Sequence, residues 1–136
     1  MAVFAFTDGS ITIDSNDLSD HCKEITLEID VDDLDSTAFS TGGYKSHLGG
    51  LKDGKLTLTF NQDVAASALD SVMFPLLGLV KTFVIKPTSS AVGTSNPSYS
   101  GSVLVSQWSP LAGKVGDLAE VSVTFPTTGT ITRATS

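Results

Sequence analysis

The residues whose spacing comes closest to a known chemical motif lie between Gly49 and Lys55. They read G-x-x-x-x-G-K, one residue short of a phosphate-binding loop. Such a loop needs Ser or Thr next, to hold magnesium, and a helix whose first amides face the phosphate. Leu56 stands at that position, and the Leu-Thr alternation that follows predicts a strand. We therefore expect no nucleotide site here.

A run of carboxylates is the next candidate, because calcium prefers oxygen ligands of this kind. The run comprises Asp30, Asp32, Asp33 and Asp35. An EF-hand loop that began at Asp30 would need Gly at its sixth position and Glu at its twelfth, and these are Asp35 and Thr41. We interpret the run as a solvated acidic loop and expect no metal site.

The remaining candidates for catalysis are two histidines and many serines. His21 and His47 lie in no spacing typical of a metal site, and no G-x-S-x-G sequence marks a nucleophilic serine. Trp108 is the only tryptophan, and we interpret it as a core or interface anchor. We expect a protein that is not an enzyme, has no catalytic residues and needs no cofactor.

Composition indicates one β-rich domain that spans residues 1–136. Only 17% of the residues are charged, against about a quarter in typical domains, so Ser, Thr and Gly must supply much of the surface. The net charge of −7 argues against binding to nucleic acid through its phosphates. Cys22 is the single cysteine, which favours a reducing compartment. The longest apolar stretch, residues 72–80, is too short to span a membrane.

Alternating apolar and polar residues predict seven or eight strands. The clearest are 24–31, 55–61, 82–86, 98–108 and 118–125, with a first hairpin at Asp8-Gly9. A turn is expected at 126–129 and a last, polar strand or arm at 130–135, within a polar C-terminal segment that spans 127–136. One short helix is expected after Asp63, and Pro75 should end or kink it. The expected fold is mainly β, a two-sheet β-sandwich or partly closed barrel with one short flanking α-helix.

Residues 32–54 break this alternation. Gly42-Gly43, Gly49-Gly50 and Asp53-Gly54 interrupt them, which predicts a long loop. The loop nevertheless carries apolar and aromatic side chains, and a neighbouring subunit is the simplest cover for them.

Several segments together resemble the major tail tube proteins of long-tailed bacteriophages of the siphovirus type. The resemblance covers nearly the whole chain and depends on the order and spacing of its parts. These are DLS at 17–19, DSTAF at 35–39, GGYK at 42–45, LGGLKDG at 48–54, NQD at 61–63, NPSYSG at 96–101, GDLA at 116–119, VSVTFP at 121–126 and GTITRAT at 129–135.

This resemblance implies a tail tube fold and a structural subunit that assembles into stacked hexameric rings. The rings form the hollow tail tube of a virion, assembled in the host cytoplasm, through which double-stranded DNA passes without specific binding during ejection. Implied partners are the subunit itself, the tape measure protein, the tail terminator and the distal tail or baseplate proteins, with no membrane. The loop would contact another subunit or ring through Asp32, Asp33, Asp35, Phe39, Tyr44, Lys45, His47, Leu48 and Leu51.

An acidic or neutral lining would let DNA slide through such a tube, whereas Lys and Arg would hold its phosphates. We therefore expect Glu28 and Asp30, and next Glu120, to face the lumen. Two other readings stay open. One is a β-sandwich binding module of a virion or cell surface, and the other is a related tail terminator or inner-tube protein.

Overall fold

The computed structural model describes residue 3 and residues 5–66 and 68–136. Within them, seven strands form one open antiparallel sheet in the order β2-β1-β5-β6-β7-β4-β3. The strands are β1 Ser10–Ile13, β2 Asn16–Asp17, β3 Cys22–Asp35, β4 His47–Asn61, β5 Val80–Lys86, β6 Ser98–Leu104 and β7 Glu120–Ala134. The helix α1 spans Leu69–Met73. The predicted mainly β fold with one short helix is confirmed, with all strands in a single sheet.

Strand β7 belongs to both halves of this sheet. Its residues 120–126 pair with β4, and its residues 127–134 pair with β6. Pro126 lies where one pairing ends and the other begins, and there its missing N–H is tolerated. The turn expected at 126–129 is therefore wrong. A bulge opposite Gly101 takes up the change of direction instead, and the polar C-terminal segment continues the same strand.

One core joins the two halves of the sheet. Its inward-facing strand residues are Ile11, Ile13, Leu56, Leu58, Phe60, Phe83, Ile85, Val103, Val121, Val123 and Phe125, all buried. Leu69 and Met73 of α1 are buried in the same cluster. The helix begins later than expected, since Asp63 caps no helical turn and instead accepts the Ala65 amide at 2.9 Å. Pro75 lies in a 3₁₀ turn that follows α1.

The first tight turn also lies elsewhere than predicted. Residues 5–9 form bends and no strand, so the hairpin expected at Asp8-Gly9 is wrong; part of its expected first strand, Phe4, lies outside the described residues. The turn is at Asp14-Ser15, which join β1 to β2 with φ angles of 52° and 66°. Two successive positive φ angles are the signature of a type I′ hairpin turn, and Asp tolerates them better than most residues.

The long loop expected at residues 32–54 is wrong for most of its length. Strands β3 and β4 pair from Cys22 opposite Phe60 to Asp35 opposite His47, so only residues 36–46 lie outside them. We call residues 29–53 the arm and residues 36–46 its tip. The phosphate-loop-like segment, residues 49–55, lies entirely within β4, so a strand and not a helix follows it.

Two glycines, Gly50 in the arm and Gly54 directly after it, permit close packing. A Cβ at Gly50 would lie 3.1 Å from the Cβ of Asp32, and one at Gly54 would lie 2.9 Å from the Oγ1 of Thr127 and 3.2 Å from the carbonyl oxygen of Glu28. Side chains at these positions would push neighbouring strands apart. The glycines therefore permit strand pairing here, where the sequence suggested turns.

Candidate assembly surfaces

The arm is uncovered on both of its faces. Ile29 and Val31 continue the core-facing row of β3, yet 47% and 49% of their surface is exposed. Leu34, on the opposite face, is 48% exposed. The predicted contact residues on the arm's strands, Asp32, Asp33, Asp35, His47, Leu48 and Leu51, are all exposed. Apolar exposure of this extent is typical of a surface that another molecule covers.

The tip holds its backbone with local hydrogen bonds and leaves its rings in solvent. The amide of Ser36 donates to the carbonyl oxygen of Ser46 at 2.9 Å, and the amide of Ser46 donates to the Oγ1 of Thr37 at 2.8 Å. Phe39 is fully exposed, and Tyr44 is 80% exposed. The tip is therefore an ordered turn that presents two aromatic side chains.

Lys45 and Asp35 flank those rings. Lys45 is exposed and makes no ion pair with the described residues. The hydroxyl and amide of Thr37 hold the pKa of Asp35 below its usual value. Nearby, Asp33 lies 2.8 Å from the Nδ1 of His47 across the two strands. These predicted contact residues thus lie together at one end of the molecule.

The residues predicted to face a lumen lie on one face of the sheet. Glu28 and Asp30 are on the outer face of β3, since Ile25 and Leu27 alternate with them and pack on the core. Glu120 is on the outer face of β7, next to buried Val121. We call the outer-face residues Lys23, Glu24, Glu28, Asp30, Asp53, Lys55 and Glu120 the acidic face. The register of β3, β4 and β7 brings them together.

The acidic face keeps most of its negative charge. Its two lysines pair with carboxylates, Lys23 with Glu120 at 2.6 Å and Lys55 with Glu28 at 3.4 Å. Asp30 lies directly opposite Asp53, and neither forms an ion pair with the described residues. Like charges directly opposite each other destabilise a strand pair. The fold therefore gains no stability from this pair.

Long strand edges stay unpaired within the subunit. Strand β3 is the last in the sheet, so one side of its 14 residues faces no other strand of the described chain. Strand β4 meets β7 only from Lys55 onwards, so residues 47–54 are paired on the β3 side alone. Such edges are templates for strands of another molecule.

A groove of about 660 Å³ lies at the other end of β4. It is lined by Gln62, Val64 and residues 110–115, 117 and 119, and we call this surface, with the adjacent Leu118, the groove. The side-chain amide of Gln62 donates to the carbonyl oxygen of Pro110 at 2.7 Å, which fixes the loop to the end of the strand. Sequence reasoning missed this surface because it lies between the predicted strands 98–108 and 118–125, where no pattern singles out a site. Its signal is three exposed apolar residues, Leu111, Val115 and Leu118.

The remaining polar cluster fits a structural role. His21 donates or accepts at both ring nitrogens, with Asp63 at 2.8 Å and Asp20 at 3.0 Å. The bond to Asp63, followed by the charge of Asp20, raises the pKa of His21, although partial burial opposes this. Burial raises the pKa of the neighbouring Cys22 thiol to about 11, so this thiol is protonated near neutral pH. Among the described residues, no group of three His, Cys, Asp or Glu is placed to hold a metal ion.

The part of the chain that the structure describes has no helix with the length and hydropathy needed to cross a bilayer. The features of the described residues that stand out are surfaces: an arm with two free edges, an acidic face and an apolar groove.

No known family model matches this chain, and no curated protein matches its sequence. Solved structures match its fold. A chain of the virion of a native gene transfer agent particle aligns with a TM-score of 0.77 at 15% identity, over 97% of this chain and 99% of its own. A chain of the tail of an empty gene transfer agent particle, which has C6 symmetry, aligns with a TM-score of 0.64 at 15% identity, over 86% and 85%. Likeness at this identity shows a shared fold.

Proposed function

We propose that this protein is a structural subunit of a tail tube, in which hexameric rings stack into a hollow conduit for DNA. The observation that carries the proposal is the arm, which has unpaired backbone along both strands and exposed apolar side chains on both faces. A sheet with such edges is expected to continue into a neighbouring copy. The fold shared with a tail that has C6 symmetry supports six copies per ring.

Ring closure follows from the strand edges. The outer edge of β3 in one subunit pairs with an open edge of the next, and repetition around a six-fold axis gives a closed barrel without free edges. Closure would cover Ile29 and Val31, which continue the core row beyond the body of the subunit. The exposed apolar surface of the arm is then interface.

The acidic face lines the bore in this proposal. Glu28, Asp30 and Glu120 share that face, and Asp53 adds a further carboxylate beside Asp30. A lining with excess negative charge offers the DNA phosphates no cationic side chains that could replace their counterions, so the duplex is not retained during ejection. The like-charge pair of Asp30 and Asp53 is then explained by function at a small cost in stability.

A tail tube implies further partners and a location. A tape measure protein would occupy the bore during assembly, and a terminator and distal tail or baseplate proteins would bind the two ends. The subunit would assemble in the host cytoplasm and remain in the virion. The tip and the groove, which lie at opposite ends of β4, are the surfaces available for contacts along the tube.

Electron microscopy of the purified protein over a range of concentrations tests the proposal. We expect hollow tubes or rings with six-fold symmetry, and a reconstruction should place Asp30 on the inner wall. A protein that remains monomeric at the highest concentration and also fails to extend preformed tail tips contradicts the proposal. Tubes with Asp30 on the outer wall contradict the assignment of the bore and leave the assembly intact.

A further inference from the structure

Two uncovered apolar surfaces lie at opposite ends of one strand. The tip ends where β4 begins at His47, and the groove is built on Gln62, directly after β4 ends at Asn61. At about 3.3 Å per residue, the length of β4 separates them by roughly 45 Å. A copy held straight by the pairing of β3 and β4 cannot bring its own tip to its own groove.

The two surfaces both present exposed apolar side chains. The tip presents the exposed rings of Phe39 and Tyr44, and an aromatic side chain buries about 150–250 Å² when it is covered. The groove is open and mostly apolar, and its side chains include exposed Leu111 and Val115.

The charges of the two surfaces are complementary. Lys45 is the only charged residue of the tip, and Asp117 is the only acidic residue that lines the groove. Neither forms an ion pair with the described residues of its own chain. Lys114 of the groove is likewise free to meet Asp35, which stands directly before the tip. Opposite charges at the rim of an apolar contact fix its orientation.

We infer that the tip of one subunit docks into the groove of a second copy, with Phe39 and Tyr44 against Leu111 and Val115. The inference rests on the proposed function, in which it forms the contact between successive rings. Because the two surfaces differ, the contact is head-to-tail, and between stacked rings it repeats along the tube. A single tip buries little area, but six tips that engage at once multiply the strength of the contact between rings.

Two variants with a charge in either surface test this docking. Phe39→Asp places a charge in the tip and leaves the groove unchanged. Val115→Asp places a charge in the groove and leaves the tip unchanged. Both side chains are fully exposed, so neither substitution disturbs the core. Phe39→Leu, which keeps an apolar side chain, is the matched control. Tube growth is followed by sedimentation velocity and negative-stain microscopy.

We expect neither charged variant to form tubes alone, while both still form rings. An equimolar mixture of rings formed separately from each variant should give pairs of rings that stop growing, because the intact tips of Val115→Asp rings can meet only the intact grooves of Phe39→Asp rings. Tubes from either charged variant, or a mixture without paired rings, overturn the docking. Wild-type protein that forms neither rings nor tubes contradicts the proposed function instead.

A charge exchange provides the second test. Lys45→Asp and Asp117→Lys each place like charges at the rim, and each should raise the protein concentration needed for tube growth about tenfold or more. The double variant Lys45→Asp/Asp117→Lys restores opposite charges and should return that concentration to within about threefold of wild type. A double variant that assembles no better than the single variants overturns the pairing of these two residues.

Discussion

At the scale of single residues, His21 connects three parts of the chain. Its carbonyl oxygen accepts the amide of Asn61 at 2.7 Å, and its ring contacts Asp20 and Asp63. Asp63 in turn accepts the amide of Ala65, so the cluster fixes the segment that leads to α1. Histidine and aspartate side chains can act in catalysis, but the hydrogen bonds of this cluster link the start of β3 to the chain beyond β4.

This link should make stability depend on pH. The pKa of His21 is raised from 6.5, so its contribution is complete below that value and is lost as pH rises through the folded-state pKa. The pKa of Asp63 is lowered from 3.8, first by the Ala65 amide and then by His21, so its contribution is lost as pH falls through the folded-state value. We expect the melting temperature of the wild type to fall more between pH 6 and pH 8 than that of His21→Gln. Circular dichroism measures both melting temperatures. If they fall equally for the wild type and His21→Gln, the contacts of His21 do not cause the pH dependence.

Trp108 shows a second residue-scale interaction that the sequence could only suggest. It is buried, its ring centroid lies 6.4 Å from that of Phe60, and its indole N–H donates to the Oδ1 of Asp70 at 2.9 Å. The bond joins the loop after β6 to α1, and no sequence pattern indicated Asp70 as the partner of the expected anchor.

Removal of that bond should weaken the fold. We expect Trp108→Phe to lower the free energy of unfolding by about 2 kcal/mol, through the lost hydrogen bond to a carboxylate and the smaller ring. Asp70→Asn keeps an oxygen acceptor and should cost less than half as much. Urea unfolding followed by circular dichroism measures both, since the first variant has no tryptophan. If Asp70→Asn lowers the free energy of unfolding as much as Trp108→Phe does, the charge of Asp70 and not the hydrogen bond accounts for the loss.

At the scale of elements, alternation predicted the strands that have one face on the core and failed elsewhere. The pattern around Leu56, Leu58 and Phe60 is regular because one side of β4 is buried there. Within the arm neither side is buried, so burial imposes no alternation, and Gly50 permits close strand contacts where it suggested a turn. The apolar residues of the predicted loop, Phe39, Leu48 and Leu51, are exposed. Alternation also placed Glu28, Asp30 and Glu120 on the outer face of their strands, where the structure has them.

The arm's tip should be dispensable for folding. Residues 37–45 can be replaced by Asn-Gly, which closes a two-residue turn on the pair formed by Ser36 and Ser46. No residue of the tip is buried, so we expect the free energy of unfolding to stay within about 1 kcal/mol of wild type. Tube growth should be lost. Chemical unfolding and microscopy of the same preparation check both parts, and a shortened protein that still forms tubes would assign the contacts along the tube to other residues.

At the scale of the whole molecule, charge is distributed unevenly. The net charge of −7 predicted weak affinity for nucleic acid, but only the strand register places unpaired Asp30 and Asp53 beside each other on one face with Glu120. The sequence could not specify this arrangement, because it depends on which strands are neighbours. Two-residue alternation gives the face of each strand and leaves the partner open.

Reversal of charge on this face should turn a tube that releases DNA into one that retains it. We expect Asp30→Lys/Asp53→Lys tubes to bind short duplex DNA at low salt and to lose it as salt rises, with the steep dependence typical of phosphate contacts. Asp8→Lys/Asp20→Lys, which makes the same change in net charge outside this face, is the control. Co-sedimentation with labelled duplex measures retention. Equal retention by the two variants would show that net charge alone decides.

The placement of tip and groove at the two ends of β4 gives every subunit a direction. A filament built from such units is polar: one terminus displays only rings of aromatic side chains, the other only empty hollows. Growth at the two termini then proceeds at unequal rates. A protein that halts elongation at one terminus finds no matching surface to bind at the other. If the proposed contact holds the filament together, two different capping proteins are expected, each copying half of it.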